Sequence, residues 1–147
     1  MRHGRPAPGP PGDAELSSEG RAEVVAAARR LWLSTPRPAF IAHSPLTRSR
    51  ESAELLASAW DAAPPLETWE SLGPAGEPPE ILRPVDERLA AGQIALLVSH
   101  APVLHALFQA CVGGGLDPGP WRTAELRRIA FPGPIGIGFG HVAGVSR

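Results

Sequence analysis

The stretch "GQIALLVSHAPVLHAL" at positions 92–107 decides the fold class. Its first half is continuously apolar over the length of a strand, which is typical of a strand buried on both faces of a sheet. Its second half has helical spacing, and Pro102 suits the first helical turn because that turn leaves amide groups unpaired anyway. A buried strand that passes directly into a helix is the building unit of α/β proteins with a parallel sheet.

The same strand-to-helix pattern occurs earlier in the chain. The segment "PAFIAHS" (38–44) has strand length and leads into "PLTRSRESAELLASAW" (45–60), which reads as a helix. Before it, "LSSEGRAEVVAAARRLWL" (16–33) predicts a helix capped by Ser17 or Ser18. The residues predicted to face the core are Val24, Ala28, Leu31 and Trp32 in the first helix and Leu55, Leu56, Ala59 and Trp60 in the second.

Two more strands are predicted near the end of the chain, in "AELRRIAF" (124–131) and "PIGIGFGHV" (134–142). The 16 glycines and 18 prolines cluster between the periodic segments, as in "RPAPGPPG" (5–12), and are therefore interpreted as loops of an ordered protein. Strands that alternate with helices predict a mostly parallel sheet covered on both faces. A length of 147 residues suits a single domain, residues 1–147.

Composition excludes several classes of function. The net charge of −1 gives no electrostatic reason to bind nucleic acid or an anionic membrane, so neither partner is expected. The one cysteine, Cys111, cannot form an internal disulfide, and no apolar run approaches membrane-spanning length. A cytoplasmic location is therefore predicted. The sequence carries no signal for an oligomeric state.

Four residues stand out as a candidate site: Arg2, His3, Arg48 and His100. Arg48 and His100 follow predicted strands, and ligands of parallel sheets bind where strands end and helices begin. Arginine holds phosphate oxygens through paired hydrogen bonds, and neutral histidine is a nucleophile. Each residue alone is better explained by a structural or solvated role. The set together favours phosphoryl transfer, in which positioning and charge neutralisation supply most of the catalysis.

Four motifs in one order resemble the histidine phosphatase superfamily, also called the phosphoglycerate mutase-like or branch-1 family. They are "RHG" (2–4), "LSSEGRAEVVAAARRL" (16–31), "SPLTRSRESAELLA" (44–57) and "SHAPVLHAL" (99–107). The resemblance covers residues 2–107. It implies a three-layer α/β/α sandwich and no metal or organic cofactor.

The resemblance also implies a role for each site residue. His3 matches the nucleophile that becomes transiently phosphorylated. Arg2 and Arg48 match the arginines that hold the phosphoryl group, and the "SPLTR" spacing selects Arg48 over Arg50. His100 matches the second histidine, which binds phosphate and stabilises the transition state.

Within this superfamily the short chain and the compact "ESLGPAGEPPEIL" segment (70–82) are most similar to SixA-type phosphohistidine phosphatases. Relatives that act on alkyl phosphates use a glutamic acid to protonate the leaving oxygen, and neither Glu70 nor Glu77 is a convincing match for it. The predicted substrate is thus phosphohistidine in a protein, or another activated phosphomonoester. One alternative is a phosphatase or mutase of small phosphorylated metabolites, and another is a non-catalytic phosphate-binding relative.

The sequence departs from the family at its start, because only Met1 precedes "RHG" where members have a strand. The first strand is therefore expected to be missing or truncated. Three explanations are open. In the first, translation of the natural protein begins upstream. In the second, the next loop orders the terminus, or the "PIGIGFGHV" stretch or a partner chain fills the gap. In the third, the protein is a degenerate relative. The remaining histidines, His43, His105 and His141, show no metal-site spacing.

Overall fold

The computed structural model describes residues 1–10, 12–114, 117 and 119–146. Its helices are α1 (Ser18–Ser34), α2 (Thr47–Ala57), α3 (Pro78–Arg88) and α4 (Ala101–Val112), with a short 3-10 helix at Glu70–Leu72. Its strands are β1 (Phe40–His43), β2 (Leu66–Thr68), β3 (Ala95–Val98), β4 (Leu126–Ala130) and β5 (His141–Ser146). The predicted helices α1, α2 and α4 and strands β1, β3 and β4 are confirmed. None of the helices in these described residues has the length and apolar character needed to span a membrane.

The central sheet is parallel, in the order β2-β1-β3. β1 lies in the middle, where Ile41 pairs with Leu66 on one side and with Leu96 on the other. Four helices cover this sheet in two layers. The sequence-based expectation of an α/β/α sandwich is confirmed.

Residues 1–3 extend the sheet beyond β3. The Met1 nitrogen donates a hydrogen bond to the Leu97 carbonyl (2.6 Å), and the His3 amide donates to the Ser99 carbonyl (3.1 Å). On the other side, the Arg2 amide donates to the Glu125 carbonyl over 3.0 Å. Residues 1–3 thus occupy the place of the first strand, which the sequence predicted to be missing or truncated. They are hydrogen-bonded on both sides, and Met1 is only 4% exposed.

The hydrophobic core has a large cluster on each face of the sheet, and a third, smaller cluster consists of Leu104, Phe108 and Trp121. The cluster under α1 and α2 includes Val24, Ala28, Leu31, Ile41, Leu56 and Trp60. The cluster under α3 and α4 includes Phe40, Leu72, Ile81, Val103 and Leu107. Complete burial of a side chain such as Leu56 contributes about 1.5–3 kcal/mol, so these clusters fix the helices against the sheet.

Three sequence-based expectations were wrong or incomplete. Trp32 is 56% exposed and is not part of the core. The stretch 134–140 is not a strand: β5 begins only at His141 and pairs antiparallel with β4, so this stretch does not complete the central sheet. β2 and α3 were not predicted, since β2 has only three residues and α3 contains Pro84, which disfavours a helix interior.

Two glycines let the loop after residue 3 lie directly on α1. A Cβ atom added at Gly20 would be 2.1 Å from the Arg5 carbonyl oxygen, and one at Gly4 would be 2.6 Å from the Gly20 carbonyl oxygen. Both distances are shorter than any real carbon–oxygen contact. The glycines of "RHG" and "SSEG" therefore serve the close approach of two backbones, which fixes where the chain leaves residue 3.

Candidate active site

The structure brings His3, Arg48 and His100 together at the carboxyl ends of the parallel strands. Arg48 lies in the first turn of α2, and His100 is the N-cap residue of α4. The His3 and His100 ring centroids are 5.0 Å apart, and Arg48 Nε donates to His3 Nε2 over 3.2 Å. Both histidines are only 5% exposed. These three side chains come from separate parts of the chain and form one small, largely buried cluster.

Hydrogen bonding selects one form of the His3 ring. His3 Nδ1 lies 2.7 Å from the Gly4 carbonyl oxygen, which can only accept, so Nδ1 carries the hydrogen. His3 Nε2 then keeps its lone pair, in agreement with its acceptance of a bond from Arg48. Burial, with the neighbouring charges of Arg48 and Arg2, lowers the pKa of His3 to about 4, although the Gly4 carbonyl opposes this shift. The ring is neutral near pH 7, with its free lone pair directed toward Arg48.

His100 is held by a serine that sequence reasoning missed. Ser44 Oγ lies 2.8 Å from His100 Nε2, and Ser44 is fully buried at the end of β1. Burial, His3 and the arginines lower the pKa of His100 to about 4, while Asp13 opposes the shift. Ser44 opens the "SPLTR" motif, so its place directly after a buried strand was the available signal.

Arg2 has an unused donor. Its Nη1 group donates to the Trp121 carbonyl over 2.6 Å, whereas its Nε atom is buried and has no hydrogen-bond partner within the described residues. A buried donor without an acceptor costs about 1–3 kcal/mol, and an anionic oxygen would remove that cost. The Arg2 charge also contributes to the lowered pKa of both His3 and His100, which places it close to the two rings.

The proline- and glycine-rich loop fixes Arg48 from outside. The N-cap residue of α2 is Leu46, whose side chain cannot cap the helix. Asp13 replaces it: Oδ1 accepts from the Thr47 amide (2.6 Å) and Oδ2 accepts from the Thr47 hydroxyl (2.7 Å). The Gly12 carbonyl accepts from Arg48 Nη1 over 3.2 Å. No sequence pattern pointed to Asp13, because its partners lie 34 residues further along the chain.

A buried serine connects the loop after His3 to α2. Ser52 Oγ accepts a bond from the Gly4 amide (3.0 Å) and donates to the Arg48 carbonyl (2.7 Å). Ser52 is fully buried. A single hydroxyl group thus fixes the distance between the backbones that carry the candidate nucleophile and its arginine.

The other candidates lie apart from this cluster. Arg50 forms an exposed ion pair with Glu54 one helical turn on, which agrees with the choice of Arg48. Glu70 and Glu77 are both exposed, at the start of the 3-10 helix and at the N-cap of α3.

The remaining histidines also lie outside the cluster. His43 is buried in β1 and hydrogen-bonded through Nδ1 to the Ser44 carbonyl. His105 lies within α4 and His141 begins β5. The described part of the chain contains no group of three or more metal-binding side chains.

The family of the chain follows from its first half. The model of the histidine phosphatase superfamily (branch 1) matches residues 1–73, which contain three of the four motifs and three of the four clustered residues. The chain belongs to this superfamily, as its motifs indicated. A search of curated proteins found no match.

Solved structures with the same fold agree with this assignment. The protein histidine phosphatase SixA complexed with tungstate superposes with a TM-score of 0.84 at 21% identity, over 99% of this chain and 92% of SixA. The mycobacterial glucosyl-3-phosphoglycerate phosphatase superposes with a TM-score of 0.76 at 16% identity, over 97% of this chain and 95% of that one. At these identities the likeness establishes the fold.

Proposed function

We propose that this single-domain protein is a phosphatase that works through a phosphohistidine intermediate on His3. The neutral, buried His3 ring beside Arg48 is the observation that carries this proposal, because it places an unprotonated nitrogen against a positive charge that a phosphoryl oxygen can take over as its hydrogen-bond donor. His3 Nε2 attacks phosphorus, a P–N bond forms, and the bond to the leaving group breaks with its electron pair. Water then attacks phosphorus, the P–N electrons return to Nε2, and inorganic phosphate is released.

The remaining site residues stabilise the transferring phosphoryl group. Arg48 and the unpaired Nε of Arg2 neutralise its equatorial oxygens, and these donors are in place before the substrate arrives. His100 is held by Ser44, with its ring centroid 5.0 Å from that of His3. Since Ser44 can donate to Nε2, the opposite nitrogen of His100 then carries the hydrogen that a phosphoryl oxygen accepts.

Phosphohistidine in a protein is the substrate that this site fits best. Neither Glu70 nor Glu77 is buried, and the hydrogen bonds from Thr47 lower the pKa of Asp13, so that this carboxyl group stays ionised. A substrate whose leaving group departs without a dedicated carboxylic acid is therefore favoured. SixA, whose fold this chain shares, is a protein histidine phosphatase.

Single-turnover hydrolysis tests this proposal. A phosphohistidine peptide and an aryl phosphate would be mixed with the wild type, His3→Ala and Arg48→Ala, with His105→Ala and Arg50→Ala as matched controls. Intact-protein mass after a neutral quench should show a phosphoryl group in the wild type and both controls. His3→Ala should show neither the adduct nor turnover.

Each result has a defined meaning. Turnover by His3→Ala at the wild-type rate would refute the assignment of the nucleophile. Fast hydrolysis of alkyl phosphates, slowed by Glu70→Gln or Glu77→Gln, would favour a phosphatase of small metabolites instead. If the folded wild type binds phosphate but shows no turnover, the protein is a non-catalytic phosphate-binding relative.

A further inference from the structure

A second cleft lies beside the candidate site, between α1 and residues 121–124. Its volume is about 620 Å³. One wall is formed by Glu23, Ala26 and Arg30, whose spacing puts them on one face of α1. The opposite wall is formed by residues 121–124, and Arg2 and Arg5 also line the cleft.

The cleft is strongly basic in a protein that is nearly neutral. Four arginines line it, Arg2, Arg5, Arg30 and Arg122, against the one carboxylate of Glu23. The whole chain, in contrast, carries a net charge of −1. Four positive charges against one negative charge make a local excess of three, in a concave surface that strengthens their combined field.

Two of these arginines, Arg30 and Arg122, have few hydrogen-bond acceptors among the described residues. Glu23 is occupied by Arg5, through a 3.4 Å ion pair and a hydrogen bond from the Arg5 amide. Arg30 donates its Nε to the Ser146 hydroxyl, and the Arg122 guanidinium has no hydrogen-bond acceptor among residues 1–10, 12–114, 117 and 119–146. The donors of Arg30 and Arg122 are thus available to an external anion.

The cleft is connected directly to the candidate active site. Arg2, which lines the cleft, is hydrogen-bonded to the Trp121 carbonyl, and the Ala124 amide donates to the His3 carbonyl. Arg2 thus belongs both to the lining of the basic cleft and to the surroundings of the two histidines, so the cleft adjoins the candidate site. The excess charge suits a second anionic group of the same substrate.

We propose that this cleft binds an acidic side chain of the substrate protein, close in space to the phosphorylated residue. This inference rests on the proposed function for the identity of the phosphorylated group. Arg30 and Arg122 supply bidentate hydrogen bonds to the carboxylate, and the chemical class recognised is a phosphorylated, acidic protein surface. The cleft thereby adds selectivity that a phosphate pocket alone does not provide.

Equilibrium binding tests the proposal without any need for turnover. Two peptides would carry a non-hydrolysable phosphonate analogue of phosphohistidine, one flanked by glutamates and the other by glutamines. Affinities would be measured by calorimetry for the wild type and for Arg30→Gln/Arg122→Gln. The matched control is Arg29→Gln/Arg83→Gln, which removes the same charge from exposed positions outside the cleft.

The wild type should bind the glutamate peptide about tenfold more tightly than the glutamine peptide, as two partly exposed charge-assisted contacts allow. The cleft variant should lose this preference, whereas the control variant should keep it. Added salt should weaken the preference in the wild type and in the control variant. Equal affinity of the wild type for the two peptides, or no binding of either, would overturn the proposal. So would an equal loss in the control variant. If the wild type prefers the glutamate peptide but hydrolyses no phosphohistidine, the proposed function is wrong, and the inference that the cleft binds an acidic side chain is still supported.

Discussion

Acid should destabilise this protein through its two buried histidines before most carboxylates protonate. In the folded protein the pKa of both His3 and His100 is lowered to about 4, mainly by burial. In the unfolded chain both rings titrate near 6.5. Between these values the unfolded chain binds more protons, so the stability that depends on these neutral rings is fully present above about pH 6.5 and is lost as the pH falls toward 4.

The size of this effect follows from the two pKa values. When the pH falls from about 7.5 to about 5, each histidine should lower the free energy of unfolding by about 2 kcal/mol. The two rings interact, so about 2–4 kcal/mol is expected for the pair. Either value is a large share of the stability of a small domain.

Urea unfolding at pH values of about 7.5, 6.5, 5.5 and 5.0, which span the titration range of histidine, would measure this loss in the free energy of unfolding. The wild type would be compared with His3→Gln and with His3→Gln/His100→Gln. The double variant should lose the part of the pH dependence that comes from the two histidines, and the single variant about half of that part. The buried Met1 amino group, whose pKa burial lowers to about 5, contributes the same remaining pH dependence in all three proteins. If the free energy of unfolding changes with pH equally in the wild type and the double variant, burial does not keep these rings neutral. The assignment of His3 as a neutral nucleophile would then be wrong.

Three further substitutions test the architecture around the site. Gly20→Ala should lower the free energy of unfolding by about 2 kcal/mol in urea titrations because its Cβ would overlap backbone, whereas Gly9→Ala, with open space around it, should change stability by less than about 0.5 kcal/mol; equal midpoints would contradict the close approach. Glu125→Gln removes the carboxylate that pairs with Arg127, and both side chains are 4% exposed or less, so thermal and urea unfolding should show a loss of about 3–5 kcal/mol in the free energy of unfolding; a loss below about 1 kcal/mol would refute this. Asp13→Ala removes a helix cap worth about 1 kcal/mol and should lower kcat/KM for an aryl phosphate about fivefold, while Asp13→Asn retains most of the wild-type kcat/KM; an unchanged kcat/KM in the alanine variant would show that the cap does not position the arginine.

The sequence was most informative where local pattern and burial coincide. β3 and α4 were predicted because a continuous apolar run is followed at once by helical spacing, and His100 lies where the two meet. Arg48 follows β1 in the same way. These junctions converge because the carboxyl ends of parallel strands share one edge of the sheet.

The features that could not be predicted depend on distant contacts. Asp13 caps α2 from a loop whose composition indicates only irregular backbone. β5 is defined by its partner β4, and most of its residues are exposed, so it shows no apolar alternation. Trp32 has apolar spacing, yet it lies one position beyond Leu31 and so about 100° around the helix, at the edge of the buried stripe of α1.

The hydrogen bonds of residues 1–3 have a consequence for the order of folding. The backbone of His3 is held by Ser99 and by Ala124, so its position in the sheet depends on contacts about 100 residues further along the chain. A chain in which only α1, β1 and α2 have folded therefore still lacks the backbone partners of His3. Because such long-range pairing is slow, the cluster of His3, Arg48 and His100 should be among the last parts of this fold to form.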